Sequence, residues 1–553
     1  MKPIVGYFHF ITILLGIQFT ISGQPVVNFT LPDSSCVGAQ ITITNLTTGG
    51  STFFWNFCSG NTNSDPTGVN IGNPGNLLDV PTYMTLVQDG NDCYSFISCQ
   101  FAGIIRYYHG TSFSHDPISW TNLGTFGLLS NYIEGIQVKK DNGNWYGFVC
   151  NNTTIVRLDF GTSPANTPTA VDIGPFPNFD MAHGLAIIKE GNTWLGFVTC
   201  ALAVSISRLN FGTSLTNIPT VQNFGSLGVL YSPGPICIVE ENSLWYMMVT
   251  AGLETLARLT FGNSLLNTPT AENLGNPGGF NNQIGLAILR DCESTGGYFL
   301  NYIVNGQLGK LTFAGGITST VTGQILGNIG SLNRPHCFSE IFRQNDTLFA
   351  YITNRGSNTL TRLTFPPCTN SSVPSSTQFN PPPFSYNQPG TYNVRLLVNE
   401  GLPDQVSLCK TIVIGPVPTV NLGPDRSICP GTSTTLDAGP GYTTYLWSTS
   451  ATSRTITVST AGTYWVIVTQ TGCTASDSLN VALYTVTPVN LGPDTTVCQG
   501  QIVTFDAGSC TGCTYLWLDL GSGLPIGTSQ TFTTGQAGTY KVTVTNTNGC
   551  QAV

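Results

Sequence analysis

Glu134, His183 and His336 are the residues of this sequence best suited to shared chemistry. Each stands just ahead of a short apolar run at the same point of a repeat: Glu134 before Gly135-Ile136, His183 before Gly184-Leu185, His336 before Cys337-Phe338. Two imidazoles and a carboxylate that converge can bind a metal ion or act as acid and base. The other copies of the repeat place Thr82, Gly234 and Ile284 there, so three of the six positions carry no such group. Asp180 and Arg334 stand three and two residues before the histidines and extend the set of ligand-binding candidates. The spacing leaves open whether these side chains meet. No cofactor and no metal is expected from it, and no Gly-x-Ser-x-Gly elbow, His-Glu-x-x-His pair or phosphate-binding loop occurs.

The repeat that carries these residues is clearest at Arg208–Gly225, which returns at Arg157–Gly174 and Arg258–Gly275. Basic residues mark each copy at 106, 157, 208, 258, 310 and 362, in steps of 51, 51, 50, 52 and 52. Each unit reads as four short strands, for example 184–188, 193–199, 204–211 and 220–224, separated by Gly, Asn and Pro. A four-stranded unit of this length is the size of one β-propeller blade. Six copies imply six blades. The sixth ends at Phe365 and has no outer strand of its own. Pro66-Thr67 through Gly72-Asn73-Pro74 matches Pro269-Thr270 through Gly275-Asn276-Pro277, so the N-terminal strand is expected to complete the last blade and close the ring. An open solenoid is the alternative, and it would not need the borrowed strand. Arg157, Arg208, Arg258 and Arg362 read as structural, and Trp145, Trp194 and Trp245 as core between blades.

The chain has 553 residues, 41% of them apolar, enough for several domains with real cores. Only 8% are charged and the net charge is −9, which argues against nucleic acid as a partner. Residues 1–23 read as a signal peptide, with Lys2, an apolar core over 8–17 and small residues at Ser22-Gly23. No later run is long and apolar enough to predict a membrane span.

Around the repeats lies a second pattern. Cys429, Tyr445-Leu-Trp447, Gly462-Thr-Tyr464 and Cys473 recur as Cys498, Tyr515-Leu-Trp517, Gly538-Thr-Tyr540 and Cys550. A split copy has Cys36 and Phe53-Phe-Trp55 before the repeats and Gly390-Thr-Tyr392 and Cys409 after them. The expected organisation is therefore all-β: a six-bladed propeller (61–365) inserted in a β-sandwich (24–60 plus 366–415), then two further sandwiches (417–485 and 486–553). Insertion in an exposed turn is tolerated when its ends lie close. The split sandwich resembles a PKD domain, with Trp55-Asn-Phe-Cys-Ser-Gly60 at that family's W-D-F-G-D-G-like turn and Pro389-Gly-Thr-Tyr-Asn-Val394 at its P-G-x-Y-x-V strand, but without the acidic residues of the turn. Leu422–Gly431 and Leu491–Gly500 resemble the opening of immunoglobulin-like repeats in large secreted proteins of the Bacteroidetes, and the propeller is similar to the NHL and YVTN types. The resemblance implies cargo of type IX secretion, with a sorting domain beyond Val553.

Seventeen cysteines in an exported chain imply disulfides. The parallel marks suggest Cys36–Cys409, Cys429–Cys473 and Cys498–Cys550, each closing one sandwich. Cys58 and Cys368 flank the propeller and are expected to pair at its neck. Cys510 and Cys513 are near enough for a local bridge, although a C-x-x-C can also be redox-active or half of a zinc site. Cys93, Cys99, Cys150, Cys200, Cys237, Cys292 and Cys337 lie in the blades and read as small buried apolar residues.

These features predict a secreted or cell-surface binding or adhesion protein, with the propeller recognising an extracellular glycan or protein and the sandwiches as spacers. Two alternatives stand beside it: an extracellular lyase or hydrolase using His183, His336 and Glu134, and a structural component of a surface layer or matrix.

Overall fold

The protein is described by a computed structural model over residues 25–59, 65–252, 254–292, 294–344, 347–366, 369–399 and 405–553. The expected signal peptide 1–23 lies outside these residues, as does Cys368 and with it the expected Cys58–Cys368 bridge. The described chain is almost wholly β, with one short 3-10 turn at Pro74–Asn76. Among the described residues no helix is long and apolar enough to cross a membrane.

Six antiparallel sheets follow one another along the chain. The second runs Ile133–Asp141, Asn144–Asn151, Thr154–Gly161 and Thr169–Asp172, and its neighbours repeat that plan. In the sixth, Pro335–Phe338, Thr347–Asn354 and Thr359–Phe365 are completed by Thr67–Gly72, with Arg362 opposite Val69. The inner strands neighbour one another in order, and the sixth returns to the first. The sheets therefore form a closed ring, a β-propeller, latched by its own leading strand.

The basic residue of each repeat is the clamp between sheets. Arg106 Nη1 donates to the carbonyls of Pro164 and Asn166, 2.9 and 2.8 Å away in the loop of the second sheet. Arg157 reaches Thr216 of the third (2.6 Å), Arg208 reaches Leu265 and Asn267 of the fourth (2.6 and 2.9 Å), and Arg258 reaches Ile317 of the fifth (2.7 Å). Lys310 pairs with Asp65 beside the strand that completes the sixth sheet (3.1 Å), and Arg362 pairs with Asp116 of the first (2.7 Å). A polar side chain near the end of an inner strand holds the same loops. Asp141 accepts from Ser214 Oγ and Leu215 N, Glu190 from Ser264 Oγ and Leu265 N, Glu241 from Ile317 N, and the Gln344 carbonyl oxygen from Ser112 Oγ and Phe113 N. The loops present these partners because Gly161, Gly212 and Gly262 turn the chain at positive φ (70°, 66° and 77°), where a side chain would be strained. Asn166, Asn217 and Asn267 then bond back to the carbonyls of Phe160, Phe211 and Phe261.

The chain forms two compact units. The first holds the six sheets together with residues 40–59 and Thr391–Ile412. In it, Phe53–Ser59, from before the ring, pairs antiparallel with Gly390–Val398, from after it, so that Trp55 lies opposite Leu396. Trp55 is fully buried against Phe29, and its indole N–H donates to the Gln378 carbonyl. The second unit contains Pro32–Ala39, Tyr386–Gly390 and Val413–Val553. Its two repeated domains each fold as a four-stranded and a two-stranded sheet, around Trp447 and Trp517 respectively.

The disulfides correct the sequence reading. Cys36 is bonded to Cys473, Cys429 to Cys550 and Cys409 to Cys292, while Cys498 is free and exposed; Cys510–Cys513 forms as expected. Cys36–Cys409, Cys429–Cys473 and Cys498–Cys550 do not form. The reason lies in strand order. Ser34–Cys36 runs parallel to residues 413–415, and Arg426–Ile428, just ahead of Cys429, runs parallel to residues 481–483. Each partner strand leads into the next domain, so the leading cysteine meets the trailing cysteine of the domain that follows. Cys292, expected as a buried apolar residue, instead bonds Cys409. Cys93, Cys99, Cys150, Cys200 and Cys337 are buried free thiols, and Cys237 is a half-buried one.

Two outcomes test the ring. Arg208→Ala removes two charge-assisted bonds to loop carbonyls, one of them buried, and should cost about 2–3 kcal/mol, read by calorimetry, with Arg208→Lys recovering only part. At the seam between sheets six and one, His109 is fully buried, with Nε2 3.0 Å from Ser95 Oγ and Nδ1 3.4 Å from Tyr351 Oη. Burial lowers its pKa from 6.5 to about 4, Arg362 adding to this and the His115 carbonyl and Asp116 opposing it. The unfolded chain takes up a proton below pH 6.5 that the folded chain refuses until about pH 4. Stability present above that window is therefore lost as the pH falls through it. Denaturant titrations across the window should show a fall for wild type that exceeds that of His109→Gln by up to roughly 3 kcal/mol; parallel curves would contradict a neutral buried imidazole.

Candidate ligand site in the channel

The inner strands bring Glu134, His183 and His336 together at one end of the channel. One ligand atom from each lies within 4.8 Å of the others, and all three residues are buried, at 3%, 6% and 1% exposure. A local device aims them. Five of the six inner strands lose register with the second strand at their start: between Pro81 and Met84, Ile133 and Ile136, Ala182 and Leu185, Gln283 and Gly285, and Pro335 and Cys337. Such bulges re-aim side chains. The glycines that follow Glu134 and His183 permit the close approach of neighbouring strands: a Cβ on Gly135 would lie 2.7 Å from the His183 carbonyl, and one on Gly184 2.5 Å from that of Gly234.

A hydroxyl near the end of a second strand locks three of these bulges. Thr199 Oγ1 accepts from Gly184 N (2.8 Å) and donates to the Gly234 carbonyl (2.7 Å). Ser98 does the same between Tyr83 N and the Glu134 carbonyl, and Thr353 between Cys337 N and the Thr82 carbonyl. Cys99 and Cys200 drew notice in the sequence; the hydroxyl one residue earlier does this work.

The other candidates do not join the cluster. Thr82 is buried, but its hydroxyl lies against Ser98 and the Ile133 carbonyl. In the first sheet the neighbouring Tyr83 enters the site instead, its Oη 2.9 Å from His183 Nδ1. Asp180 and Arg334 are exposed, on the turns before the inner strands. Sequence reasoning also missed Arg355 and Gln100. Arg355 Nη1 lies 3.3 Å from His336 Nε2, Arg355 Nη2 donates to Gln100 Oε1 (2.8 Å), and Gln100 Nε2 donates to Glu134 Oε1 (3.3 Å). Arg355 lies on the turn after a second strand, where no repeat position marks it.

Burial governs the electrostatics. It pushes the Glu134 carboxyl up to about 8, against the pull of Arg355 and Gln100. It lowers His183 to about 4, with Arg355 adding to the effect. His336 falls well below its usual value through burial first, then His183 and Arg355, with the Thr82 backbone opposing. Among the described residues Glu134 Oε2 and His336 Nδ1 are buried without a hydrogen-bond partner, a costly state for polar atoms.

Further along the inner strands the channel holds a cavity of about 360 Å³, which Tyr83 also lines. Its walls differ by side. Sheets six and two contribute Glu340, Gln137 and Lys139 among apolar Ile136, Phe338 and Ile341, and sheet one adds Tyr83 and Met84; Glu340 accepts from Thr85 Oγ1 (3.1 Å) and Gln137 Nε2 (2.7 Å). Sheets three, four and five contribute Leu185, Ile187, Ile238, Leu286 and Ile288.

No protein family matches the sequence, and no curated protein does. Solved structures with some likeness include an α-L-arabinofuranosidase from Clostridium thermocellum (10% identity, TM-score 0.30, 45% of this chain and 94% of that one). A mutant of AofleA from Arthrobotrys oligospora gives 10% identity and TM-score 0.39, over 64% of this chain and 94% of that one. The catalytic domain of an α-L-arabinofuranosidase from Coprinopsis cinerea gives 12% and 0.32, over 44% and 92%. Likeness at this level adds nothing to the strand order described above, and the activities named belong to those proteins.

Proposed function

We propose that the chain is a secreted or cell-surface binding protein, with the ring as its recognition module and the sandwich domains as spacers. The observation that carries this reading is the divided cavity in the channel. Its volume suits a small-ligand site. A sugar ring has an apolar C–H face and a hydroxyl edge, so it matches a cavity with aliphatic walls on one side and Glu340, Gln137 and Lys139 on the other. The ligand class is therefore a terminal sugar of an extracellular glycan. Disulfides in both units support export, because such bonds persist in oxidising compartments. The resemblance of the host sandwich to PKD domains, and of the later copies to Bacteroidetes immunoglobulin-like repeats, supports delivery by the type IX secretion machinery.

A glycan array probed with the full chain, followed by calorimetry on any sugar it retains, tests the proposal. Ala186 lines the cavity and is half-buried, so Ala186→Trp should fill it. Binding should drop at least about tenfold, a loss of about 1.4 kcal/mol, while the melting temperature holds. Retention of full affinity by Ala186→Trp, or an array without a specific hit, would defeat the reading. Turnover of a bound glycan would place the protein among hydrolases or lyases instead.

A further inference from the structure

We infer that Glu134, His183 and His336 form a binding site for a divalent transition-metal ion of the zinc type. The inference does not rest on the glycan reading, since the cavity walls and these three residues are different groups. Imidazole and carboxylate ligands together favour such ions over calcium or magnesium, which prefer oxygen alone. His336 Nε2 lies 3.7 Å from Glu134 Oε2. Ligand atoms about 2.0–2.2 Å from a tetrahedral zinc ion are roughly 3.3–3.5 Å apart, so this pair needs only a small closing movement. Glu134 Oε2 is also one of the buried atoms without a hydrogen-bond partner among the described residues, and a cation supplies one.

The surroundings fit the role. Tyr83 Oη engages His183 Nδ1, and when that nitrogen donates to the phenol oxygen the Nε2 lone pair is free for an ion. A partner on the far nitrogen is what usually orients a metal-binding histidine. Three protein ligands leave a fourth position for water or an incoming oxygen ligand, the arrangement of open rather than structural zinc sites. The opposing feature is Arg355, whose guanidinium touches His336 and reaches Glu134 through Gln100. It is half-buried, at the edge of the cluster. As a like charge it competes with the ion for the same carboxylate, so loading requires Arg355 to swing outward.

That competition separates a metal site from a purely structural charge network. The full chain is stripped with chelator and titrated with Zn²⁺ against a chromophoric competitor, with melting temperature as the fold control. Wild type should bind one ion per chain. Glu134→Gln and His183→Gln should each weaken binding at least about tenfold, a change of about 1.4 kcal/mol, and Tyr83→Phe should weaken it less. Arg355→Met should tighten it. A network that exists only for the fold predicts the reverse for Arg355→Met: lower stability and no ion bound. That result, or equal affinity in the Glu134 and His183 variants, would overturn the inference. So would a zinc edge spectrum showing sulfur neighbours, because the site contains only nitrogen and oxygen.

Discussion

A cation in the third strand of each sheet bonded to the next sheet is what the ring depends on. Individually such contacts are modest, and two of the six are partly exposed ion pairs, Lys310–Asp65 and Arg362–Asp116, of the kind that contributes little alone. The buried ones differ. Arg208 carries a full charge at 8% exposure and is satisfied by carbonyls of the neighbouring loop. Removing that loop would strand the charge, and removing the charge would strand the carbonyls. Neighbouring sheets are in this way obliged to keep their spacing, and the cycle leaves no sheet without a partner.

The channel inherits its properties from that closure. Six inner strands held side by side leave a narrow space in which water is scarce, so polar groups turned inward shift their protonation strongly. Bulges at the strand starts turn Glu134, His183 and His336 inward, and the Ser98, Thr199 and Thr353 hydroxyls tie the starts of the first, third and sixth inner strands to the next strand. The same space, a few residues further along, becomes a cavity whose two sides differ in polarity because different sheets face it.

The sandwich domains use another principle. The second unit holds two covalent links, Cys36 to Cys473 and Cys429 to Cys550, and the latter joins its two repeated domains. Bonds of this kind constrain the unfolded chain over long loops.

Much of the architecture was legible in the residues. The fifty-residue step of Arg and Lys gave the number of sheets, since each sheet needs its own clamp. The match between 66–74 and 269–277 gave the latch, because a fourth strand missing from the end had to come from elsewhere. Glu134, His183 and His336 were recognisable as equivalent positions, since a repeat of constant length places equivalent residues on one circle. Tyr83, Gln100 and Arg355 were not, because they enter the site from a shifted bulge and from turns after second strands, where local geometry rather than period decides direction. Apart from the local Cys510–Cys513 bridge, the disulfide partners were also out of reach. Sequence periodicity shows that cysteines are equivalent, but which two approach depends on parallel pairing of Ser34–Cys36 with 413–415, a long-range hydrogen-bond pattern that only the folded chain sets.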